Sequence, residues 1–214
     1  MNVDPVFQRL LSDFHPAVLH SAEETIYAMR PDLTLAYVNL GWTQFAARNG
    51  GEPLISLNWS IGSCVQDAIA PVLRPFFTDN YARCLRERRP WEHRYECSSA
   101  EVYREFVMMT YPLGEGEGLL VINSLVQQET SHTRSAHAPL DVLYRQETGL
   151  VIQCCHCRRV QRCGAERAWD WVPEWVSSPP QKTSHGICEP CFGFYFPKQR
   201  RSTKGFPEKF QTME

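Results

Sequence analysis

The feature that most constrains this chain is a pair of Cys-x-x-Cys motifs in its last third. The first runs from Cys154 to Cys157, and the second runs from Cys188 to Cys191, about thirty residues further on. A tight turn in each motif can direct two sulfur atoms to one point, and four thiolates suit tetrahedral Zn²⁺. One such motif is a weak signal, whereas two at this separation predict a metal site. The predicted ligands of a structural zinc ion are Cys154, Cys157, Cys188 and Cys191.

The predicted site is closed, because four cysteine ligands leave no coordination position for water or substrate. A module of about 45 residues has little apolar surface with which to fold alone. A structural Zn²⁺ contributes about 10–16 kcal/mol of apparent binding free energy in small zinc fingers, enough to decide whether such a module folds. The sequence leaves open whether the ion is zinc or iron.

The cysteine count and the apolar pattern indicate a reducing compartment. Nine cysteines is an odd number, which does not favour a disulfide framework. The amino-terminal segment carries acidic residues and lacks the apolar stretch of a signal peptide. The longest apolar runs, such as residues 119–122, are too short to cross a membrane. We therefore expect a cytoplasmic protein that does not associate with membranes and whose thiols stay reduced.

Other polar residues near the two motifs have alternative uses. His185 could replace a cysteine as a metal ligand, or its ring could orient the second motif through a hydrogen bond. Cys155 and Cys163 are candidate redox thiols, since Arg158 and Arg159 beside Cys155 would lower the pKa of its thiol if they approached it. We expect His156 to be exposed.

Nucleic-acid binding is a weaker alternative. Residues 1–150 carry a net charge of about −6 and residues 151–214 about +4, with a basic and flexible tail at 198–214. Trp169, Trp171 and Trp175 could stack on bases, but packing around the metal site is the commoner use of such residues. Few charges in the tail are adjacent, so we do not expect nucleic acid as the main partner.

The pattern along residues 1–128 predicts helices and five strands. An amphipathic helix is expected at residues 4–14, a hairpin at 25–38, a helix at 42–49 capped by Gly50, and a longer helix at 71–88. Three further strands are expected at 91–97, 102–111 and 119–126. This order predicts an α+β fold, a five-stranded antiparallel sheet with helices on one face. The first helix would cover its own sheet or a second subunit.

Residues 20–128 resemble a PAS domain. The resemblance rests on the order of elements and on Tyr37-Val38-Asn39, Trp42, Phe45-Ala46 and Asn49-Gly50-Gly51. It implies a sensory or interaction domain with a possible pocket for a small molecule, lined by Trp42, Phe45, Trp59, Phe77, Tyr95 and Phe106. No flavin is expected, because the Asn-Cys-Arg-Phe run of the flavin-binding members is absent around Cys64. No haem is expected, because residues 71–88 contain no histidine.

The carboxyl-terminal part is similar to a short module that follows PAS and response-regulator domains in bacterial signalling proteins. The matching segments are Arg158-Arg159-Val160, Trp169–Trp175, Ser184–Cys191 and Tyr195-Phe196-Pro197. The middle departs from that pattern at Cys163-Gly164 and at Pro179-Pro180, which we interpret as loop variation.

These observations predict five segments: an amino-terminal helix (1–20), a PAS-like sensor (21–128), a linker with a short helix (129–148), a zinc module (149–197) and a tail (198–214). The sequence lacks the phosphate-binding and nucleophile-elbow motifs of common enzymes, so we expect no enzyme. We expect a signalling protein that forms a homodimer, acts on a protein partner and has room for an unidentified small ligand. The alternatives are a transcription regulator that contacts nucleic acid through the zinc module and tail, and a thiol redox sensor.

Overall fold

Strands rich in apolar residues form an antiparallel sheet in the computed structural model of the chain. Its strands are β1 (Asn2–Val3), β2 (Thr25–Met29), β3 (Leu35–Val38), β4 (Trp91–Glu96), β5 (Tyr103–Leu113) and β6 (Gly118–Glu129). Their order across the sheet is β1-β3-β2-β6-β5-β4. The five predicted strands are β2 to β6, and the two-residue β1 adds to the edge beside β3.

The structure describes residues 2–4, 7–130, 134–164 and 168–197. The tail predicted at 198–214 lies outside this part of the chain. Two compact units are distinguished, the first with Met1–Ile69, Arg74–Arg94 and Phe106–Leu125, the second with Ala70–Leu73, Tyr95–Glu105 and Val126–Glu214. Within the described ranges, no helix has the length and apolar character needed to cross a bilayer.

Helices cover one face of the sheet in the first unit, as predicted. They are α2 (Leu40–Arg48), α3 (Leu54–Asn58) and α4 (Arg74–Glu87), with a 3-10 turn at Val65–Ala68; another 3-10 turn, Pro71–Leu73, belongs to the second unit. On this face the Tyr27 ring meets the Trp42 ring edge-on, with centroids 5.4 Å apart. The Tyr81 hydroxyl lies 3.9 Å from the Met108 sulfur, which places α4 over β5.

The amino-terminal segment covers the opposite face. The predicted continuous helix is instead a 3-10 helix (Gln8–Phe14) followed by α1 (Pro16–Ser21). The break falls at His15, whose φ of 48° is left-handed, and a residue before proline is disfavoured in the α-helical region. Phe7 and Leu11 pack in one buried cluster with Ile26 and other residues of the sheet. The apolar side of this segment is therefore used within the first unit.

Asn39 ties α1, α2 and β2 together in the first unit. Its side chain is 2% exposed, and its oxygen accepts hydrogen bonds from the backbone N–H groups of Ile26 and Trp42, both at 3.0 Å. Its amide donates to the carbonyl of Glu24 at 2.9 Å and that of Ala22 at 3.1 Å. A Cβ at Gly41 would lie 2.1 Å from the Glu24 carbonyl oxygen. Only glycine therefore allows the chain before β2 to approach α2 this closely.

The second unit contains a smaller sheet. Its elements are α5 (Asp141–Tyr144), β7 (Val151–Cys154), β8 (Val160–Gln161), β9 (Trp169–Asp170), α6 (Pro173–Ser177), β10 (Thr183–Gly186) and α7 (Glu189–Tyr195). The strand order is β10-β7-β8-β9, with β10 parallel to β7. Its core is formed by Tyr144, Val151, Val160, Val172 and Trp175. Residues of the predicted linker belong to this unit: Tyr144 is buried, and the His137 N–H donates to the Trp171 carbonyl at 2.9 Å.

We expect Asn39→Ala to destabilise the first unit by about 3 kcal/mol, because it removes a helix cap and leaves buried backbone groups without partners. The measurement is native-state hydrogen exchange of the β2 amides. Asn49→Ala is the matched control: Asn49 is exposed at the end of the same helix, and its amide donates to the Phe45 carbonyl at 2.8 Å. The control should cost less than about 0.5 kcal/mol. Equal losses in the two variants would contradict the role given to Asn39.

Candidate metal centre

The first motif forms the tip of a hairpin. Strand β7 ends at Cys154, and the chain turns back so that the Cys154 N–H donates to the Arg159 carbonyl at 2.7 Å. Arg158 takes a left-handed φ of 62° in this turn. Strand β8 then pairs antiparallel with β7, with Gln153 opposite Val160. The turn therefore holds Cys154 and Cys157 at one end of the hairpin.

The second motif is brought beside the first by a parallel strand pair. Gly186, the last residue of β10, is opposite Cys154, the last residue of β7. Parallel strands end at the same edge of a sheet, so the segments that follow them start side by side. Two hydrogen bonds join these segments, from the Cys155 N–H to the Gly186 carbonyl at 2.9 Å and from the Cys188 N–H to the Cys154 sulfur at 3.4 Å. Helix α7 begins directly after Cys188 and carries Cys191 in its first turn.

The four predicted cysteines form one buried cluster. Their sulfur atoms all lie within 4.8 Å of one another, and the Cys157 and Cys188 sulfurs are 3.6 Å apart. A disulfide would need about 2.05 Å. Tetrahedral Zn²⁺ with Zn–S bonds of roughly 2.3 Å would place its sulfurs about 3.8 Å apart. The cluster is therefore positioned to hold a metal ion, and the chemistry and spacing of its donors fit that use.

The electrostatics of the cluster favour a cation. Hydrogen bonds from the thiols of Cys157, Cys188 and Cys191 lower the pKa of the Cys154 thiol. The same interaction with Cys154, together with burial, raises the pKa of Cys191. The hydrogen bond with Cys154 acts to raise the pKa of Cys157, but those with Cys188 and Cys191 outweigh it, and this pKa is also lowered, to about 7. The pKa values of Cys188 and Cys191 are raised, so ionisation of all four thiols is opposed by the negative charge of the first thiolates. A bound divalent ion removes that opposition, because it compensates several thiolates at once.

Sequence reasoning missed an ion pair beside the first motif. The Arg134 guanidinium donates to both carboxylate oxygens of Glu96, at 2.9 and 2.5 Å, and to the Cys157 carbonyl at 3.2 Å. Burial alone would lower the pKa of Arg134, but the Glu96 carboxylate outweighs this and the pKa is raised. Arg134 was predicted to lie in a linker, where a lone arginine gives no local signal.

Two histidines lie near the cluster, His185 on β10 and His156 in the first motif. His185 is exposed on β10, and among the described residues the group of possible metal ligands consists of the four cysteines. The structure therefore does not place His185 as a ligand. The expectation that His156 is exposed is wrong: it is half-buried, its Nδ1 lies 2.9 Å from the Tyr195 hydroxyl, and burial lowers its pKa. Its ring stacks on Phe194 with centroids 5.8 Å apart.

The candidate redox thiols have raised pKa values. Burial, followed by the neighbouring Cys154 sulfur, raises the pKa of Cys155 to about 12, and Arg158 only partly offsets this. Burial also raises the pKa of Cys163. Because the thiolate is the reactive form, these shifts do not favour redox chemistry at either residue. Cys155 also lies outside the cluster of possible ligands.

The tryptophans of the second unit are mostly packed in its interior and leave little surface exposed. Trp171 and Trp175 are buried, and Trp175 meets the Tyr144 ring edge-on at 5.5 Å. Trp169 is half-buried. Among the described residues of the second unit, Phe194 is an exposed aromatic residue, at 52%.

One of the six residues predicted to line a ligand pocket is buried, and the other five are half-buried. In the first unit Phe106 is buried and its ring meets Phe45 edge-on at 5.6 Å, while Trp42, Trp59 and Phe77 are half-buried. Tyr95 is half-buried and belongs to the second unit. That these residues surround a ligand stays a prediction. A cavity of about 150 Å³ is lined by residues that were not predicted: Asp4, Phe7, Arg9, Leu10, Arg30, Pro31 and Glu117.

Comparison with known proteins finds solved structures that are similar to this chain, whereas no family model and no curated protein matches it. The PAS domain of BvgS from Bordetella pertussis is 16% identical with a TM-score of 0.41, covering 54% of this chain and 86% of that one. A PAS domain from Colwellia psychrerythraea is 15% identical with a TM-score of 0.40, covering 54% and 97%. A PAS domain of an HTR-like protein from Haloarcula marismortui is 15% identical with a TM-score of 0.33, covering 56% and 96%. These similar structures are all PAS domains. At identities and TM-scores this low, the likeness carries no conclusion about a ligand, a signal or a partner.

We expect Cys154→Ser to abolish stoichiometric metal binding, because a serine hydroxyl is a poor replacement for a thiolate ligand. Cys155→Ser is the matched control, since Cys155 is adjacent in sequence but outside the cluster. Elemental analysis of the purified chains should give one ion for the wild type and the control and none for Cys154→Ser. A control chain that lost its ion would show that the ligand set has been misassigned by one position.

Proposed function

We propose that this chain is a non-enzymatic signalling protein, in which a PAS-like sensory or interaction domain is coupled to a zinc-stabilised module that presents a surface to a partner protein. The observation that carries the proposal is the closed cluster of four buried thiols at the joined ends of β7 and β10. A site whose ligands are all supplied by the protein is suited to stabilising a fold and not to binding a substrate.

Zinc is the ion we favour. Four sulfur donors in a tetrahedral arrangement select zinc or iron among the common cellular metals, and zinc has no redox chemistry that would need control. The elements around the cluster are short, and the core of the second unit is small. A metal contribution of about 10–16 kcal/mol would be large beside the stability that such a core supplies.

The proposed partner surface lies next to the metal ligands. Helix α7 starts directly after Cys188 and carries Phe194, which is exposed and stacks on the His156 ring. His156 is itself held by the Tyr195 hydroxyl. Exposed aromatic residues are enriched where proteins bind each other. A bound ion would fix both ends of this arrangement, because His156 lies within the first motif and α7 carries Cys191 of the second.

The first unit would supply the signal. Its sheet is covered on one face by α2 to α4, with aromatic contacts such as Phe45 with Phe106 in the interior. A small molecule between these helices and the sheet, or a second copy of the chain, would be the input. A cytoplasmic homodimer that acts on a protein partner is the assembly we favour.

We expect a zinc chelator to open the second unit. The amides of β7, β10 and α7 should lose hydrogen-exchange protection when the ion is removed, because the pairing of the two motifs depends on it. The same chelator saturated with zinc is the control, since it leaves the ion in place. Unchanged protection in the metal-free chain would count against a structural zinc ion.

The partner surface is tested with a photo-crosslinking residue at position 194 in the full chain in its native cells. We expect a discrete cross-linked protein, identified by mass spectrometry, whose yield falls at least tenfold in the Cys154→Ser background. The same probe at position 57 is the control, because Leu57 is exposed on α3 in the first unit. A cross-link at position 194 that survives metal loss unchanged would refute presentation by the zinc module. Cross-linking of two copies would identify the partner as the chain itself.

A further inference from the structure

Arg134 and Glu96 form a largely buried ion pair beside the first cysteine motif in the second unit. Their side chains are 15% and 9% exposed. The guanidinium presents two N–H groups to the two carboxylate oxygens, which is the geometry that fixes an arginine most strongly. One of its nitrogens also donates to the Cys157 carbonyl, at 3.2 Å. The charged group thus contacts the backbone of a predicted metal ligand.

Two aromatic rings lie close to the guanidinium. Its central carbon lies 4.9 Å from the centre of the Trp171 ring and 5.9 Å from that of Tyr103. Trp171 is 2% exposed. Cations are attracted to aromatic faces at such distances, and the planar guanidinium stacks there better than an ammonium group. The orientation of Arg134 is therefore fixed by Glu96 and by these rings together.

Fold stability alone is a weak explanation for this pair. A buried ion pair often contributes little more than apolar residues of similar volume, because both charges lose their hydration. The contact that apolar residues could not replace is the hydrogen bond to Cys157. That carbonyl lies in the turn between the end of β7 at Cys154 and the start of β8 at Val160, outside the strand pairing. Arg134 supplies a donor there.

A positive charge at this place would also suit the loaded centre. A divalent ion with four thiolates has a net charge of about −2, and arginine stays protonated even when buried. The guanidinium would partly compensate this charge in an interior where the field of an ion is poorly screened.

We propose that Arg134 is a positioning residue of the metal centre: held by Glu96, it fixes the turn that carries Cys157 and offsets the charge of the thiolates. This inference rests on the proposed metal site and names the group that tunes it. Partners outside the ligand set typically change metal affinity by about 10–100-fold when they are replaced.

The test measures release of the ion from the full chain loaded with Co²⁺, whose absorption reports tetrahedral thiolate coordination, after addition of excess chelator. We expect Arg134→Met to release cobalt about tenfold faster than the wild type. Arg162→Met is the matched control. Arg162 pairs with the Asp170 carboxylate in the same unit, and it lies between β8 and β9, outside the cysteine turn. The control should release cobalt within twofold of the wild type.

Two conservative variants separate positioning from general stability. Arg134→Lys keeps the charge but cannot bind both Glu96 oxygens and the Cys157 carbonyl in one plane. We therefore expect it to recover less than half of the resistance to cobalt release that Arg134→Met loses. Glu96→Gln should give an intermediate release rate. Both variants should keep the tetrahedral cobalt spectrum, even if Arg134→Met itself fails to fold.

The outcomes distinguish this inference from the proposed function. A wild-type chain that binds no cobalt overturns both. If the wild type binds cobalt, the role of Arg134 alone is tested by three release rates. It is overturned if Arg134→Met, Arg134→Lys and Glu96→Gln all release cobalt within twofold of the Arg162→Met rate. Equal acceleration by Arg134→Met and Arg162→Met would assign both residues to general stability and would also overturn it.

Discussion

The second unit depends on the meeting of four thiol groups in a space from which water is excluded. Their sulfurs lie within 4.8 Å of one another, and the residues that carry them are buried. The parallel pairing of β7 with β10 produces this meeting, because both strands end at the same edge with Cys154 opposite Gly186. Thiols so close together can ionise together only if a cation compensates them. The strand pairing therefore brings the thiols together, and the proposed ion would compensate their charge.

The sequence predicted those parts of the structure whose information is local. The spacing of the cysteines identified the cluster, and runs of β-forming or alternating residues between turns identified β2 to β6. The amino-terminal helix differed because periodicity reports which residues are buried, while the geometry of the backbone was decided by His15 before Pro16. The orientation of His185 could not be predicted, since a residue next to a ligand motif can point either way on a strand.

The residues that the sequence could not identify are those whose partners are distant along the chain. Asn39 lies in the segment on which the resemblance to PAS domains rests. The carbonyls that accept hydrogen bonds from its amide are 15 to 20 residues earlier in the chain. Arg134 is separated by 38 residues from Glu96 and by 23 from Cys157. A polar side chain of this kind looks the same in sequence whether it is solvated or buried. Only the fold shows that its hydrogen bonds are needed.

Asn39 and Arg134 both provide hydrogen bonds to backbone groups of distant segments, but with different chemistry. Asn39 satisfies backbone groups of both kinds with a neutral amide, so its burial adds no charge to the interior. Arg134 brings a charge and therefore needs Glu96, which makes it costly as a support for the backbone alone. A negative centre nearby would offset that cost, and the four cysteines around Cys157 would supply one if they ionise around the proposed metal ion. We therefore interpret the buried arginine and the closed cysteine cluster as parts of one proposed metal site.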